Sequence, residues 1–418
     1  MRDLKVEFEK YIVIKDRWIL DVVLGTLVGN ALIERDPVWS MIVAPSSGGK
    51  TTVIAPCVGI PSVFFVDDLT EKTLLSGYKV RGKEASLLKI IGSGIMAFSD
   101  FTSILSKNPV SKGEILTQLK LVYDRKITKY TGTGGIQWEG KIGFIGAATP
   151  DIYYHLESGR SMGERFLYYW MEQPTDDEVA TKQAGVDISA KQITEVMQEH
   201  YKAYMIGLRE WVEKNGTPEL SMTKEQRLKV REASIFCVSA KATVHTNFKT
   251  GKVDQIPSKA GVGRDNKAFE TVLHTLQLMD CYEANDKSVV VSEDRIKLVQ
   301  KCAYSSINRE RRKVLEILVS SDKELTASEI GTKHGLGLEK DSVEMYLAPL
   351  HAVGLVQKLA GNPHKWYIGD PATREFIQEV SGTVVDVIPT SRDDPKEVEK
   401  MGEEDIFNDY QNDENQQW

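Results

Sequence analysis

Apolar residues recur at helical spacing over residues 15–33 (Trp18, Val22, Leu24, Leu27, Val28), which predicts a helix leading into the natural break Asp36-Pro37. Residues 38–43 form a short apolar run, the pattern of a buried strand. Further strands are predicted at 62–66, 94–98 and 142–147, with helical patterns separating the first three. Strands alternating with helices indicate a parallel sheet with crossovers, so the expected fold class is α/β. Between the third and fourth strands the period changes. Residues 125–133, the pair Gly134-Gly135 and residues 136–141 predict a β-hairpin with a glycine turn. Beyond 173 the chain is helical and polar to about 304, then 309–369 reads as three helices and a hairpin. Beyond 389 the composition shifts abruptly to Asp, Glu, Asn and Gln, the signature of a disordered tail. The expected division is 1–173, an α/β core; 174–308, a helical lid region; 309–370, a winged helix; and 371–418, linker and acidic tail.

At 418 residues the chain has room for two or three domains. No apolar run reaches the ~18 residues of a membrane span, so no membrane partner is expected, and the charged first ten residues lack an apolar signal core. Cys57, Cys237, Cys281 and Cys302 are scattered without a CxxC pair, which argues for buried reduced thiols and a cytoplasmic protein. The net charge of −7 by itself argues against nucleic acid, yet the acidic tail carries it; local basic patches decide the matter.

Ala44-Pro45-Ser46-Ser47-Gly48-Gly49-Lys50-Thr51 matches GxxxxGK[ST] except that Ala44 replaces the first glycine. Gly48 and Gly49 let backbone N–H groups converge on phosphates, and a helix starting near Lys50 adds its positive end. Lys50 would reach the β- and γ-phosphates, Thr51 would supply a hydroxyl to Mg²⁺, and Thr52 belongs to the same ATP site. The predicted strand before and helix after are the context this P-loop requires. A metal-orienting carboxylate should end a neighbouring strand. Asp100, after the apolar run 95–98, is the choice; Asp67 and Asp68 end a similar run, and they or Glu71 could instead polarise the attacking water. Phe101 occupies the place of the usual second acid.

Several segments together resemble a family of ATP-binding proteins encoded by phages and mobile elements: Asp36-Pro37-Val38-Trp39, Leu69-Thr70-Glu71, Leu75-Ser76-Gly77, Asp100-Phe101-Thr102-Ser103-Ile104-Leu105 and Gly163-Glu164-Arg165-Phe166. The order of parts over residues 15–370 is similar to AAA+ ATPases of the presensor-hairpin group, which includes the minichromosome-maintenance helicases. The resemblance implies an ATP- and Mg²⁺-dependent ATPase in the cytoplasm of a bacterial host. It gives Thr149 the sensor-1 position, although Asn is more usual there. It makes Arg165 an arginine finger reaching a neighbouring subunit's ATP, against the plainer alternative of a salt bridge to Glu164 or Glu172. Arg264 takes the sensor-2 role on the lid. A finger between subunits implies a head-to-tail homo-oligomer that closes into a ring, a hexamer in most of the family.

In such a ring the hairpin would point into the pore, where Arg125, Lys126, Lys129 and Lys141 track DNA phosphates and Tyr130 or Trp138 stacks on a base. The alternative is an ordinary surface hairpin whose aromatics pack on the sheet. In the winged helix, 340–353 would be the recognition helix, and Glu339, Asp341 and Glu344 make it poor for the major groove. It serves DNA or a protein partner. The tail carries Ile406, Phe407, Tyr410 and Trp418 among its acids, which suits either a protein-docking motif or a cover for the basic hairpin. The leading functional expectation is a ring-forming DNA motor or helicase; the alternatives are a helicase loader or regulator and a nucleotide switch with little turnover.

Overall fold

The computed structural model describes residues 2–70, 72–76, 79–80, 83–131, 134–157, 165–242, 244–247, 253–259, 261–333 and 336–382. Met1–Val384 is one compact unit. The acidic tail expected beyond 389 lies outside the described residues.

The chain opens with α1 (Arg2–Glu9) and α2 (Ile19–Leu32), then enters β1 (Trp39–Val43). After α3 (Lys50–Ile54) come β2 (Val63–Phe65), the two-residue strands β3 (Lys79–Val80) and β4 (Lys83–Glu84), α4 (Leu87–Ile91) and β5 (Gly94–Phe98). Helices α5 (Thr102–Leu105) and α6 (Pro109–Tyr123) lead to the hairpin β6 (Lys126–Thr131) and β7 (Gly134–Glu139), followed by β8 (Ile142–Ala148), α7 (Ile152–Glu157) and β9 (Leu167–Trp170). The protein is mixed α/β, and its centre is a five-stranded parallel sheet in the order β2-β5-β8-β1-β9. The central strands are continuous apolar runs because helices cover both faces. Alternation divides them between two cores. Trp39, Met41, Val43, Met96, Phe98 and Phe144 face one way, and Ile42, Ile95, Ala97, Ile145 and Ala147 the other.

α2 packs directly on the sheet. Gly143 of β8 is a close approach: a Cβ there would stand 2.2 Å from Asn30 of α2. Asn30 in turn exchanges two hydrogen bonds with the Val38 backbone at 2.9 and 3.0 Å, fixing where β1 begins.

The second half is helical: α8 (Asp176–Ala184), α9 (Ala190–Asn215), α10 (Lys224–Lys241), α11 (Val262–Ala284) and α12 (Glu293–Tyr304). Reciprocal capping boxes start three of these, at Thr175/Glu178, Ser189/Gln192 and Thr223/Gln226, satisfying N-terminal N–H groups that no helical turn can reach. Then follow α13 (Arg309–Ser320), β10 (Leu325–Thr326), α14 (Ala327–Lys333), α15 (Lys340–Ala352), β11 (Gln357–Leu359) and β12 (Lys365–Tyr367), the strands forming an antiparallel sheet in the order β10-β12-β11.

Residues 371–381, expected as linker, are instead the helix α16 (Pro371–Ser381). Asp370 caps it by accepting from Thr373 N, and Phe376 and Ile377 are buried, with the Phe376 ring 4.6 Å from that of Phe236. Phe376, Ile377 and Val380 lie at i, i+1 and i+4, so an apolar stripe was present in the sequence but was passed over. Among the described residues no helix is long and apolar enough to cross a membrane, and all four cysteines are buried and free.

Candidate functional site

The loop 44–51 leaves the C-terminal end of β1, a central strand of the sheet. Ser47 and Gly49 both adopt positive φ, +62° and +71°. For serine this is a sparsely populated conformation, and alternation of this kind turns successive backbone N–H groups toward one concavity. Gly48 N–H donates to Pro45 O at 3.2 Å. Lys50 is buried and donates to Ala44 O at 2.8 Å and Pro45 O at 2.6 Å. Burial lowers its ammonium pKa, and the nearby Asp100 carboxylate opposes the shift. The helix that follows, α3, is only five residues long and continues into a 3₁₀ turn at Ala55–Cys57. Thr51 on its first turn is exposed, and Thr52 is half-buried.

Because the strands are parallel, their C-terminal ends share one edge, where open α/β sheets collect ligands. Asp100, just past β5, is exposed and accepts from Thr102 N at 2.9 Å. Thr149, just past β8, donates its N–H to Thr102 Oγ1 at 3.0 Å, and its own hydroxyl reaches Asp151 Oδ2 at 3.3 Å. Thr102 thus ties the Asp100 turn to Thr149, and Lys50, Asp100 and Thr149 lie on the same edge of the sheet. Phe101, where a second acid was sought, is fully buried and packs its ring on Phe98, Phe144 and Phe166 at 5.1–5.7 Å. A carboxylate there would be desolvated among aromatics.

Asp68 follows the outer strand β2 and is engaged. Lys107 Nζ sits 2.6 Å from its carboxylate and holds that group below the usual carboxylate range. Glu71 lies outside the described residues.

Arg165 and Arg264 do not join this edge. Arg165 precedes β9, at the opposite end of the sheet, where it is buried and pairs with Asp124 at 3.1 Å. Of the two expected salt-bridge partners, Glu172 instead binds Lys301 at 2.8 Å, and Glu164 lies outside the described residues. Arg264, on the first turn of α11, lines a cavity of about 650 Å³ with Asp36, Tyr123, Asp124, Arg125 and Lys267. Asp36 precedes β1, so this too is the N-terminal edge of the sheet.

The hairpin forms with Lys126↔Glu139, Lys129↔Ile136 and Tyr130↔Gly135 in register. Gly134 and Gly135, expected at the turn, are instead paired residues of β7. Lys126 is exposed, Lys129 half-buried and Tyr130 82% exposed, unusual for a tyrosine. Two expected DNA contacts are corrected. Trp138 is buried against the sheet's core and donates to Gly92 O at 2.9 Å, so its ring cannot stack on a base. Lys141 donates to Gly29 O, in the last turn of α2, and to Ile33 O, just past it, at 3.0 and 2.6 Å; Ile33 O also accepts from Arg35 N–H at 2.9 Å. Burial brings its pKa down to about 8.

Gln173, which motif reasoning passed over, lies against Gly48: a Cβ on residue 48 would be 2.3 Å from Gln173 Oε1. The contact joins two strand ends distant in sequence, and no local pattern signals it. No protein-family model matches the chain, and no curated protein matches it.

Proposed function

We propose that the protein is a P-loop ATPase of AAA+ type, a ring-forming motor that works on DNA. One observation carries the reading: the glycine-rich loop 44–51, with its lysine, follows a central strand of a parallel sheet at the edge that also bears Asp100 and Thr149. In this reading the backbone N–H groups of 46–51 hold the phosphates, and Lys50 leaves the loop carbonyls to meet them. Asp100 and Thr51 are exposed hard oxygen donors of the kind Mg²⁺ takes. Bound there, Mg²⁺ would neutralise charge developing on the phosphoryl oxygens. Thr149 would orient the attacking water, a task its half-buried, hydrogen-bonded place beside Thr102 supports.

The finger role of Arg165 requires a neighbouring copy, and its place on the opposite edge from the loop suits a head-to-tail contact. Arg264 on that same edge would then face the neighbour's site. The exposed Lys126 and Tyr130 at the hairpin fit contact with phosphate and base.

A second reading, a helicase loader or regulator, draws on α15 of the C-terminal module, whose helices and three-stranded sheet have the order of a winged helix. Glu339, Asp341 and Met345 are exposed at and beside this helix, a surface better suited to protein than to a DNA groove. ATP turnover with and without single-stranded DNA, with mass measurement in a non-hydrolysable ATP analogue, tests the proposal. The motor predicts DNA-stimulated hydrolysis and a closed oligomer. Turnover indifferent to DNA, with no unwinding of a forked substrate, favours the loader. No hydrolysis at all contradicts both.

A further inference from the structure

The pairing of β9 with β1 runs past the strand's end, and Met171 N–H donates to Val43 O at 3.0 Å. The chain therefore continues beside the loop 44–51 for three residues, and each turns to a different neighbour. Met171 is buried, its Cε 3.8 Å from where a Cβ on residue 49 would stand. Glu172 turns away from the loop: its N–H donates to the buried Asp16 at 2.9 Å, and its carboxylate takes Lys301 Nζ at 2.8 Å. Asp16 also accepts from Tyr169 Oη at 2.5 Å and from Lys301 at 3.0 Å, so this side of the segment is anchored. Gln173 turns back. Its Nε2 donates to Met171 O at 3.0 Å, which fixes the carboxamide with Oε1 toward Gly48.

We propose that Gln173 is a positioning residue for the triphosphate, buttressing the loop at Gly48 and keeping a neutral oxygen beside the phosphates. This rests on the nucleotide reading above. Pro45 O accepts both Gly48 N–H and Lys50 Nζ, so the loop is folded on its own carbonyl, and a phosphate must draw both donors away. The loop can shift only where its neighbours allow, and Gln173, held by the anchored segment, limits the movement of Gly48 on one side. The side chain also matters for charge. Gln and Glu have nearly the same shape, but a carboxylate at this position would repel each phosphate charge in turn, and more strongly near a low-dielectric surface than in water. Glu172, one residue earlier, is acidic, yet its carboxylate is turned away and neutralised by Lys301.

The test uses the full chain and titrates fluorescent analogues of ATP and ADP into wild type, Gln173→Glu, Gln173→Met and Lys50→Ala, with thermal melting of each protein before nucleotide is added. Gln173→Glu is expected to weaken ATP at least ~10-fold and ADP clearly less, because repulsion grows with phosphate charge. Gln173→Met, neutral and of similar length, should keep ATP affinity within about 3-fold of wild type. A simple packing role would instead weaken Gln173→Met more than the nearly isosteric Gln173→Glu, and both nucleotides alike. Wild-type ATP affinity in Gln173→Glu, or equal losses for ATP and ADP, overturns the role of Gln173 while Lys50→Ala still loses binding. If Lys50→Ala binds ATP like wild type, the nucleotide reading itself fails, and the role of Gln173 with it.

Discussion

The two edges of the central sheet differ in how their charged groups are held. At the C-terminal edge Lys50 rests on backbone carbonyls of its own loop, and Asp100 and Thr149 are kept by short hydrogen bonds to adjacent turns. Backbone partners of this sort can be exchanged for a ligand's oxygens without leaving a side-chain charge buried and unpaired. At the N-terminal edge the arginines face side-chain carboxylates, Arg165 pairing with Asp124 and Arg125 lying 3.8 Å from Asp36, whereas Lys141 there is held by backbone carbonyls. An arginine in such a pair is preorganised, and its guanidinium carries more N–H donors than the paired carboxylate takes. On the proposed reading, the first edge receives an anion within one chain and the second takes part in a contact between chains.

The largest expected effect comes from the first edge. Lys50→Ala should lower ATP turnover by at least about 100-fold, since one preorganised donor to a developing charge accounts for about that much; near-normal turnover in a phosphate-release assay would break the comparison at its strongest point. Asp100→Asn should cost hydrolysis about 10- to 100-fold while affecting nucleotide affinity less, because cation placement suffers most. Asp68→Asn should do much less, as its carboxylate is committed to Lys107. The reverse ranking, read from kcat and KM of both variants, would move the metal-orienting role to β2.

The second edge is sharpened by mixing. Arg165→Ala alone should lose turnover, and mixed with Lys50→Ala subunits it should regain part, because each variant lacks a different half of a shared site. Mixed assemblies that form yet never exceed the summed activities would leave Arg165 a structural residue paired with Asp124. Lys141→Met should destabilise the fold by about 1–3 kcal/mol, removing the half-buried ammonium that bonds Gly29 O and Ile33 O, with DNA affinity unchanged. Replacing Lys126 and Lys129 with Ala should do the smallest thing: flatten the salt dependence of single-stranded DNA binding by about 0.7 per lost contact. A slope change in Lys141→Met, or none in the double variant, would reverse the assignment of these lysines.

The buried strands were legible because continuous apolar runs flanked by turn residues have few other readings, and the loop was legible because its chemistry is local. β9, Leu167–Trp170, was not foreseen although residues 166–171 are a continuous apolar and aromatic run of the kind that marks a buried strand. The order of the strands was hidden, since it is fixed by packing between segments far apart in sequence. Lys141 shows the limit for side chains. By composition it belongs with the hairpin's other cations, and only the position of α2 reveals that its ammonium completes a helix end. Phe101 shows the converse, for its departure from the acidic pattern follows from the aromatic core beneath it.

The most direct test of the central claim is a calorimetric titration of ATP with Mg²⁺ into the wild-type chain and into Lys50→Ala. The account predicts saturable binding to wild type and a loss of at least about 10-fold in affinity on removing the ammonium that should meet the phosphates. Equal affinity in the two proteins, or no binding to wild type, would contradict it.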